Sequence, residues 1–426
     1  MLQPKNQKKR ILVIGYNFYP EPTGIGKYSG EKVHWLAKNG YDCSVITTYP
    51  YYPYWKVQEP YHKNRRWYKT EIKAFASGGK ITIHRCPTYV PENPSGLKRM
   101  LLDLSFLISA FFKLLQLMLG PKYDYVLTVV PSFQFGILGI LYKKIRGAKL
   151  YYHIQDMQIE AARDLQMIKS ERVIRTLFKV ERYIFRQADV VSSISEGMIR
   201  KIEEKANKKV MAFPNWADIN LFHPLENRRY LKKEFGFKAS DTIVLYSGAI
   251  GEKQGLETIL YAAQELQEMK NLKFMICGSG PYKERLNALA ESLGLANVIF
   301  FPLQPFEKFN AFLNVADVHL VIQKANASDL VMPSKLTTIL AVGGVALITA
   351  NKGAGLHTLV AKHNMGILVD AENQQALNEG ILKAILEDNR VIASNARAYA
   401  ETNLCIDKIM QRFEASLVQE KVAVAK

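Results

Sequence analysis

Cysteine is scarce in this sequence: Cys43, Cys86, Cys277 and Cys405 are the only four in 426 residues. They stand far apart and without metal-ligand spacing, which excludes a disulfide framework and fits a reducing compartment. No His/Asp metal cluster and no carboxylate pair of the glycosidase type stand out. Low-complexity stretches and short-period repeats are missing as well, which excludes a disordered chain and a solenoid. The opening MLQPKNQKKRILVIGY lacks the apolar length and small-residue cleavage site of a secretory leader, so a cytoplasmic protein is expected.

What is present is apolar material, 48% of residues, in a chain longer than one core usually serves, so two domains are expected. Acidic residues are in deficit, and unevenly. Residues 1–215 hold 35 Lys and Arg against 17 Asp and Glu, whereas residues 216–426 hold 22 of each. The whole net charge of +18 therefore lies in the first half. That half should face something anionic: a membrane surface, a lipid phosphate or a nucleic acid. A solvated, lysine-rich surface is the plain alternative.

Strand-like and helix-like segments alternate from end to end. RILVIGY, DCSVITT, DYVLTVV, KLYYHI, DVVSSIS and KVMAFP read as strands of the first half; TIVLYSG, LKFMICG, NVIFFP, DVHLVIQ and VALITA read as strands of the second. A helix is expected over about 133–145, and a single long one ending near Arg186. Such alternation implies parallel sheets covered by helices, in two doubly wound α/β domains. The expected division is 1–215, 216–392 and a helical tail at 393–426 packing back across a cleft, with FPNWADINLF, residues 213–222, as the connector.

MLLDLSFLISAFFKLLQLMLG, residues 100–120, is the most apolar window. As a helix it is about 30 Å long, close to a bilayer core. Asp103 and Lys113 argue against spanning. Ser105, Ser109, Lys113 and Gln116 form one polar stripe. That stripe suits a helix lying in a membrane interface with its polar side to water, and equally a packed helix. The nearby TYPYYPYW, residues 48–55, adds aromatics of the kind that settle at headgroup depth.

Two glycine-rich turns follow strands. YSGAIGEKQGLE, residues 246–257, joins a strand to a helix, and YPEPTGIGKYSGE places Gly24 and Gly26 just before a helix. Helix N-termini and full cations such as Lys253 favour anions there. The spacing is neither that of a P-loop nor of GxGxxG. In an open α/β sheet such loops line the ligand crevice, so the two turns are expected to converge on one cleft.

These blocks, together with YYPYW, RCPTYVP, HIQD, FPNW and VMPSKLTTILAVGG, resemble the retaining glycosyltransferases of family 4, which have the GT-B fold of two Rossmann-like domains facing a central cleft. The resemblance runs along nearly the whole chain. It implies that Gly24 and Gly26 lie beside the donor diphosphate and the acceptor. It further implies that His153 contacts the donor sugar near the reacting carbon, that Asp156 follows in the same loop, and that Lys253 binds the diphosphate. Ser247 and Gly248, then Gly278 to Gly280, fall where such enzymes approach the nucleotide. Pro333, Ser334, Lys335 and Leu336 open a helix near phosphate and ribose. The chain departs from the family where an arginine usually stands, at Ala249, and where two glutamates usually stand, at Leu330 and Thr338. Lys335 is therefore expected to supply a second positive charge, and Asp329 or Thr337 a hydroxyl contact.

Read without the resemblance, His153 is a satisfied core histidine, Asp156 and Ser334 are helix caps, and Lys253 and Lys335 are solvated lysines. The resemblance implies transfer of a sugar, with GDP-fucose as the preferred donor, onto a lipid-linked sugar diphosphate in exopolysaccharide synthesis. Attack on the donor's front face needs no protein nucleophile, and no cofactor or bound metal is expected. The enzyme is expected on the anionic inner face of the plasma membrane, without a nucleic-acid partner. A UDP-linked N-acetylfucosamine or hexosamine transferase is the alternative within the fold. A GT-B sugar-nucleotide epimerase and a nucleic-acid-binding protein are the alternatives of other classes.

Overall fold

The computed structural model describes residues 9–22, 24–164, 168, 170–324 and 333–423, without the side chains of 161, 164, 253 and 418–423. The chain forms two units, Met1–Phe213 and Pro214–Lys426.

The first unit is built on eight strands: β1 (Arg10–Ile14), β2 (Asp42–Thr48), β3 (Lys69–Ala74), β4 (Lys80–Cys86), β5 (Tyr125–Val130), β6 (Lys149–Ile154), β7 (Val190–Ser193) and β8 (Val210–Ala212). Its helices are α1 (Gly24–Lys38), α2 (Gly96–Met118), α3 (Phe135–Arg146), α4 (Gln158–Asp164), α5 (Glu171–Gln187) and α6 (Glu196–Ala206). The sheet runs β3-β4-β2-β1-β5-β6-β7-β8 and is parallel except for β3, which pairs antiparallel with β4. All six residues of β5 are buried, as a parallel strand covered by helices on both faces requires.

Gly40, two residues past the end of α1, has φ +88°, the left-handed geometry that ends a helix and that glycine adopts without strain. Gly24 and Gly26 form the first turn of α1 and do not precede it. The single long helix expected up to Arg186 is two, α4 and α5, the second capped by Ser170 accepting from Val173 N. The β3–β4 pair had no counterpart in the sequence reading.

The second unit carries six parallel strands: β9 (Thr242–Ser247), β10 (Leu272–Cys277), β11 (Val298–Phe301), β12 (Val318–Val321), β13 (Ala346–Thr349) and β14 (Ile367–Val369). They are ordered β11-β10-β9-β12-β13-β14. Around them lie α7 (Arg228–Glu234), α8 (Glu257–Glu265), α9 (Lys283–Ser292), α10 (Phe309–Val315), α11 (Ser334–Ala341), α12 (Gly355–His363), α13 (Gln374–Leu386), α14 (Arg390–Asn403) and α15 (Ile406–Ala423). The period of two along a strand divides the core into two layers. Ile243 and Leu245 join one apolar cluster, Val244 and Tyr246 the other.

Strand order reverses direction beside β1 in the first sheet and beside β9 in the second. At such switch points the flanking crossovers leave on opposite faces, and the carboxyl ends of the strands open a crevice. The two glycine turns follow these two strands.

Candidate active site

In the second unit, β9 hands over at Ser247 to a loop that stays zipped to the one after β10. Gly248 N donates to Cys277 O at 2.9 Å and Ile250 N to Ser279 O at 2.9 Å. The backbones approach so closely that side chains are excluded. A Cβ on Gly278 would stand 1.9 Å from Gly248 O, and one on Gly280 would stand 2.1 Å from Ile250 O. Tyr246 fixes the turn from below, its hydroxyl donating to Ala249 O at 2.7 Å. Gly255, at φ +68°, closes the short 3₁₀ turn Glu252–Gln254.

Lys335 reaches this loop from the first turn of α11. Its ammonium lies 3.5 Å from the centroid of the Tyr246 ring, and a Cβ on Gly248 would come within 2.9 Å of Nζ. Nζ is buried and has no hydrogen-bond partner among the described residues. Desolvation lowers its pKa from 10.5 to about 7. The aromatic face offsets part of that cost, but a buried cation without a carboxylate is a group waiting for an anion. The solvated-lysine reading of Lys335 is thereby excluded. Lys324, just beyond β12, lays its stem against Gly255, its Cε 3.5 Å from where a Cβ would stand.

The other residues expected on α11 divide. Pro333 takes the N-cap position and Ser334 the first helical one, exposed and without a side-chain cap. Leu336 is a core residue, and the buried Thr337 commits its hydroxyl to Ser334 O at 2.9 Å. Neither side chain is offered to a ligand, which corrects the expectation for both. The helical spacing that puts Lys335 towards the loop turns Leu336 and Thr337 inward. Asp329 and Leu330, and the Lys253 side chain, lie outside the described residues.

In the first unit, Gly26 is pressed against Glu21: a Cβ there would stand 2.5 Å from Oε2. Glu21 is buried. Its Oε1 accepts from Tyr51 N at 3.1 Å and Tyr52 N at 2.9 Å, and its Oε2 from Asn17 Nδ2 at 2.8 Å. Burial raises its pKa to about 7 against these hydrogen bonds. Glu21 thus ties the glycine turn to the aromatic 51–55 loop, and Gly24, at φ +58°, sits beside the Tyr52 ring.

His153, near the end of β6, is buried, with Nδ1 at 3.0 Å from Ser192 Oγ and its ring 5.0 Å from that of Phe213. Burial first and the Lys32 ammonium second hold its pKa well below the usual value. His153 is therefore a neutral imidazole. Lys32 is itself buried on α1, 5.5 Å from the Phe213 centroid, and desolvation lowers its pKa to about 7. Asp156, half-buried two residues after β6, lies close enough to Tyr16 and Tyr52 to raise both phenols further, beyond the larger effect of burial.

Sequence reasoning missed Lys32, Glu21 and Lys324. For Lys32 a signal existed: it precedes Trp35 and Leu36 by three and four residues, so it shares their inward helical face. Among the described residues no group of three or more His, Cys, Asp and Glu is placed to hold a metal ion.

Comparison with known proteins gives this geometry a family. Residues 23–216 match the glycosyl transferase 4-like domain, and residues 227–402 match glycosyl transferases group 1. The chain is 41% identical over 415 residues to the colanic acid biosynthesis glycosyl transferase WcaI of Escherichia coli strain K12, covering 95% of this chain and 98% of that one. Among solved structures, sucrose-phosphate synthase from Thermosynechococcus elongatus superposes with TM-score 0.72 at 16% identity, over 98% of this chain and 100% of its own. Anabaena HepE in complex with UDP-glucose superposes with TM-score 0.66 at 16% identity, over 96% and 99%. With both domain families matched in order and a relative aligned over nearly its full length, this chain belongs to the GT-B glycosyltransferases of family 4 and is a glycosyltransferase enzyme.

Proposed function

We propose that the chain is a retaining transferase acting on a nucleotide-diphosphate sugar, with GDP-L-fucose as the preferred donor. The acceptor is a lipid-linked sugar diphosphate in the assembly of a colanic-acid-type exopolysaccharide. The relative named for colanic acid biosynthesis supports the polysaccharide. The observation that carries the reading is Lys335: a buried ammonium without a partner among the described residues, set against Gly248 in the loop after the switch-point strand.

Sugar transfer breaks the bond between C1 and the donor phosphate oxygen. Positive charge develops on the sugar and negative charge on the leaving diphosphate. A cation already desolvated beside that oxygen stabilises the transition state without reorganising. We assign this position to Lys335, with Lys324 packed against Gly255 of the same loop. The acceptor hydroxyl attacks C1 on the face that the diphosphate leaves, and its proton passes to the departing phosphate oxygen. Configuration is retained and no side chain needs to act as nucleophile. His153, kept neutral, serves as a hydrogen-bond partner for the donor sugar and not as an acid. Lysines answer the diphosphate charge, so no divalent metal is required, and activity should survive chelation by EDTA.

The direct test is donor binding. GDP-fucose should raise the melting temperature of the wild-type chain, and Lys335→Ala should raise the donor KM about tenfold or more, as loss of a buried charge pairing implies. If neither GDP nor UDP sugars stabilise the protein, the reading fails. Stabilisation by UDP-N-acetylfucosamine alone would keep the reaction and change the donor.

A further inference from the structure

Of the polar stripe of α2 only Gln116, at its end, is exposed to water, and Ser105 is half-buried. Ser109 and Lys113 are buried, as is Asp103. Tyr68 donates its hydroxyl to Ser109 O at 2.9 Å, and its ring lies under the Lys113 ammonium at 4.9 Å. The helix packs by this side on β2, β4 and α3. What it turns outward is the apolar side. From Met100 to Leu115 every exposed residue is apolar: Met100, Leu101, Leu104, Ile108, Phe111, Phe112 and Leu115. Leu97 and Leu119 extend the stripe, the latter 90% exposed. The spacings of three and four keep it on one face for about 33 Å. A monomer rarely leaves so long a stripe bare without a use for it.

We propose that this outward face of α2 seats the enzyme on an anionic lipid bilayer, with the helix lying in the interface plane. The proposal deepens the reading of a lipid-linked acceptor and rests on it only for what the seat serves. Spanning is excluded, because the opposite side of α2, with Asp103 and Lys113, is committed to the first unit.

Charge selects a bilayer over a second copy of the chain. Lys98 and Arg99 stand exposed at one end of the stripe. Lys122 stands exposed at the other, where Arg146 also anchors by donating to Gly120 O. The first half of the chain carries the entire +18. Two copies meeting through this face would oppose like charges, whereas anionic phospholipid headgroups would neutralise them. Phe112 and Ile108, 59% and 51% exposed, would enter the acyl boundary as anchors.

The seat also places one group at the right depth. Arg99 ends the stripe with its guanidinium 5.0 Å from the Trp55 ring. Its charge is felt by Tyr16 and Tyr52 near the strand ends, and by Asp103. A diphosphate rising from the headgroup layer would meet Arg99 first.

Co-sedimentation of the full chain with phosphatidylglycerol-containing vesicles, against pure phosphatidylcholine vesicles, tests the seat. The wild type should pellet with the anionic vesicles and far less with the neutral ones. Ile108→Ser with Phe112→Ser should weaken binding roughly tenfold or more. Its melting temperature and its transfer to a water-soluble short-chain acceptor should stay unchanged. Lys98→Gln with Lys122→Gln should reduce binding to anionic vesicles only. The proposal is overturned if the wild type stays in the supernatant or if the apolar double variant pellets equally well. It is also overturned if the wild type is a dimer that this variant converts to monomer without any vesicle binding. Vesicle binding is measured without a nucleotide sugar, so its failure leaves the transferase reading standing, and absence of transfer leaves the seat standing.

Discussion

Gly248 and Gly278 differ in what a side chain there would meet. At Gly278 the obstacle is backbone, Gly248 O at 1.9 Å, which has nowhere to go. Gly278→Ala should therefore destabilise the second unit by about 1–3 kcal/mol or more, read as a lower denaturant midpoint. At Gly248 the obstacle is the end of a flexible chain, Lys335 Nζ at 2.9 Å and Cε at 3.0 Å. Gly248→Ala should leave the midpoint nearly unchanged and raise the donor KM, because the ammonium must move. Equal losses of stability in both variants would contradict this division.

Lys335 also predicts a pH dependence. Its pKa of about 7 in the unliganded protein rises when a diphosphate pairs with it. Donor affinity should be fullest below pH 7 and fall as pH rises through 7, by up to about tenfold per unit. A lysine whose pKa drops on folding penalises the fold in full below the folded value, and the penalty fades as pH rises towards 10.5. Lys335→Met should accordingly raise the melting temperature of the unliganded enzyme at neutral pH while weakening the donor.

Among the elements, α2 and the Glu21 tie mark how far periodicity reaches. Strand–helix alternation located both switch-point strands, because a buried parallel strand is a continuous apolar run whatever surrounds it. The same reasoning found the polar stripe of α2 but left open whether it faced water or the domain, and the structure turns most of it inward. Ser109 Oγ and Lys113 Nζ bond within the helix, to Phe106 O and Gln116 Oε1. What holds this side inward is Tyr89 N donating to Ser105 Oγ and Tyr68 bonding Ser109 O and lying under Lys113, on either side of a β3–β4 pair that the sequence reading had not resolved. Which side of an amphipathic helix is inside depends on such distant partners. Lys335 was singled out through the family resemblance, but its burial without a partner among the described residues was not legible. Glu21 offered no local signal, since its role is to hold amides thirty residues away. Removing it with Glu21→Ala would free the Tyr51 and Tyr52 amides, at a cost of about 1–3 kcal/mol. It should also raise the acceptor KM more than the donor KM, a split that steady-state kinetics with each substrate varied would reveal.

Across the whole molecule, the two units differ in charge and in what their loops carry. The basic first half carries the outward apolar helix and the Glu21-tied turn; the neutral second half carries the ammonium that has no partner among the described residues. Acceptor-side and donor-side functions should then separate experimentally. Raising salt should release the enzyme from anionic vesicles without abolishing donor binding beyond ordinary screening. The central claim is that Lys335 receives the donor diphosphate, and calorimetric titration of GDP-fucose at pH 8 tests it most directly, in two buffers of different ionisation heat. The account predicts proton uptake on binding by the wild type, and affinity about tenfold weaker or worse with no uptake in Lys335→Met. Equal affinity in both proteins, with no proton exchanged in either, would contradict it.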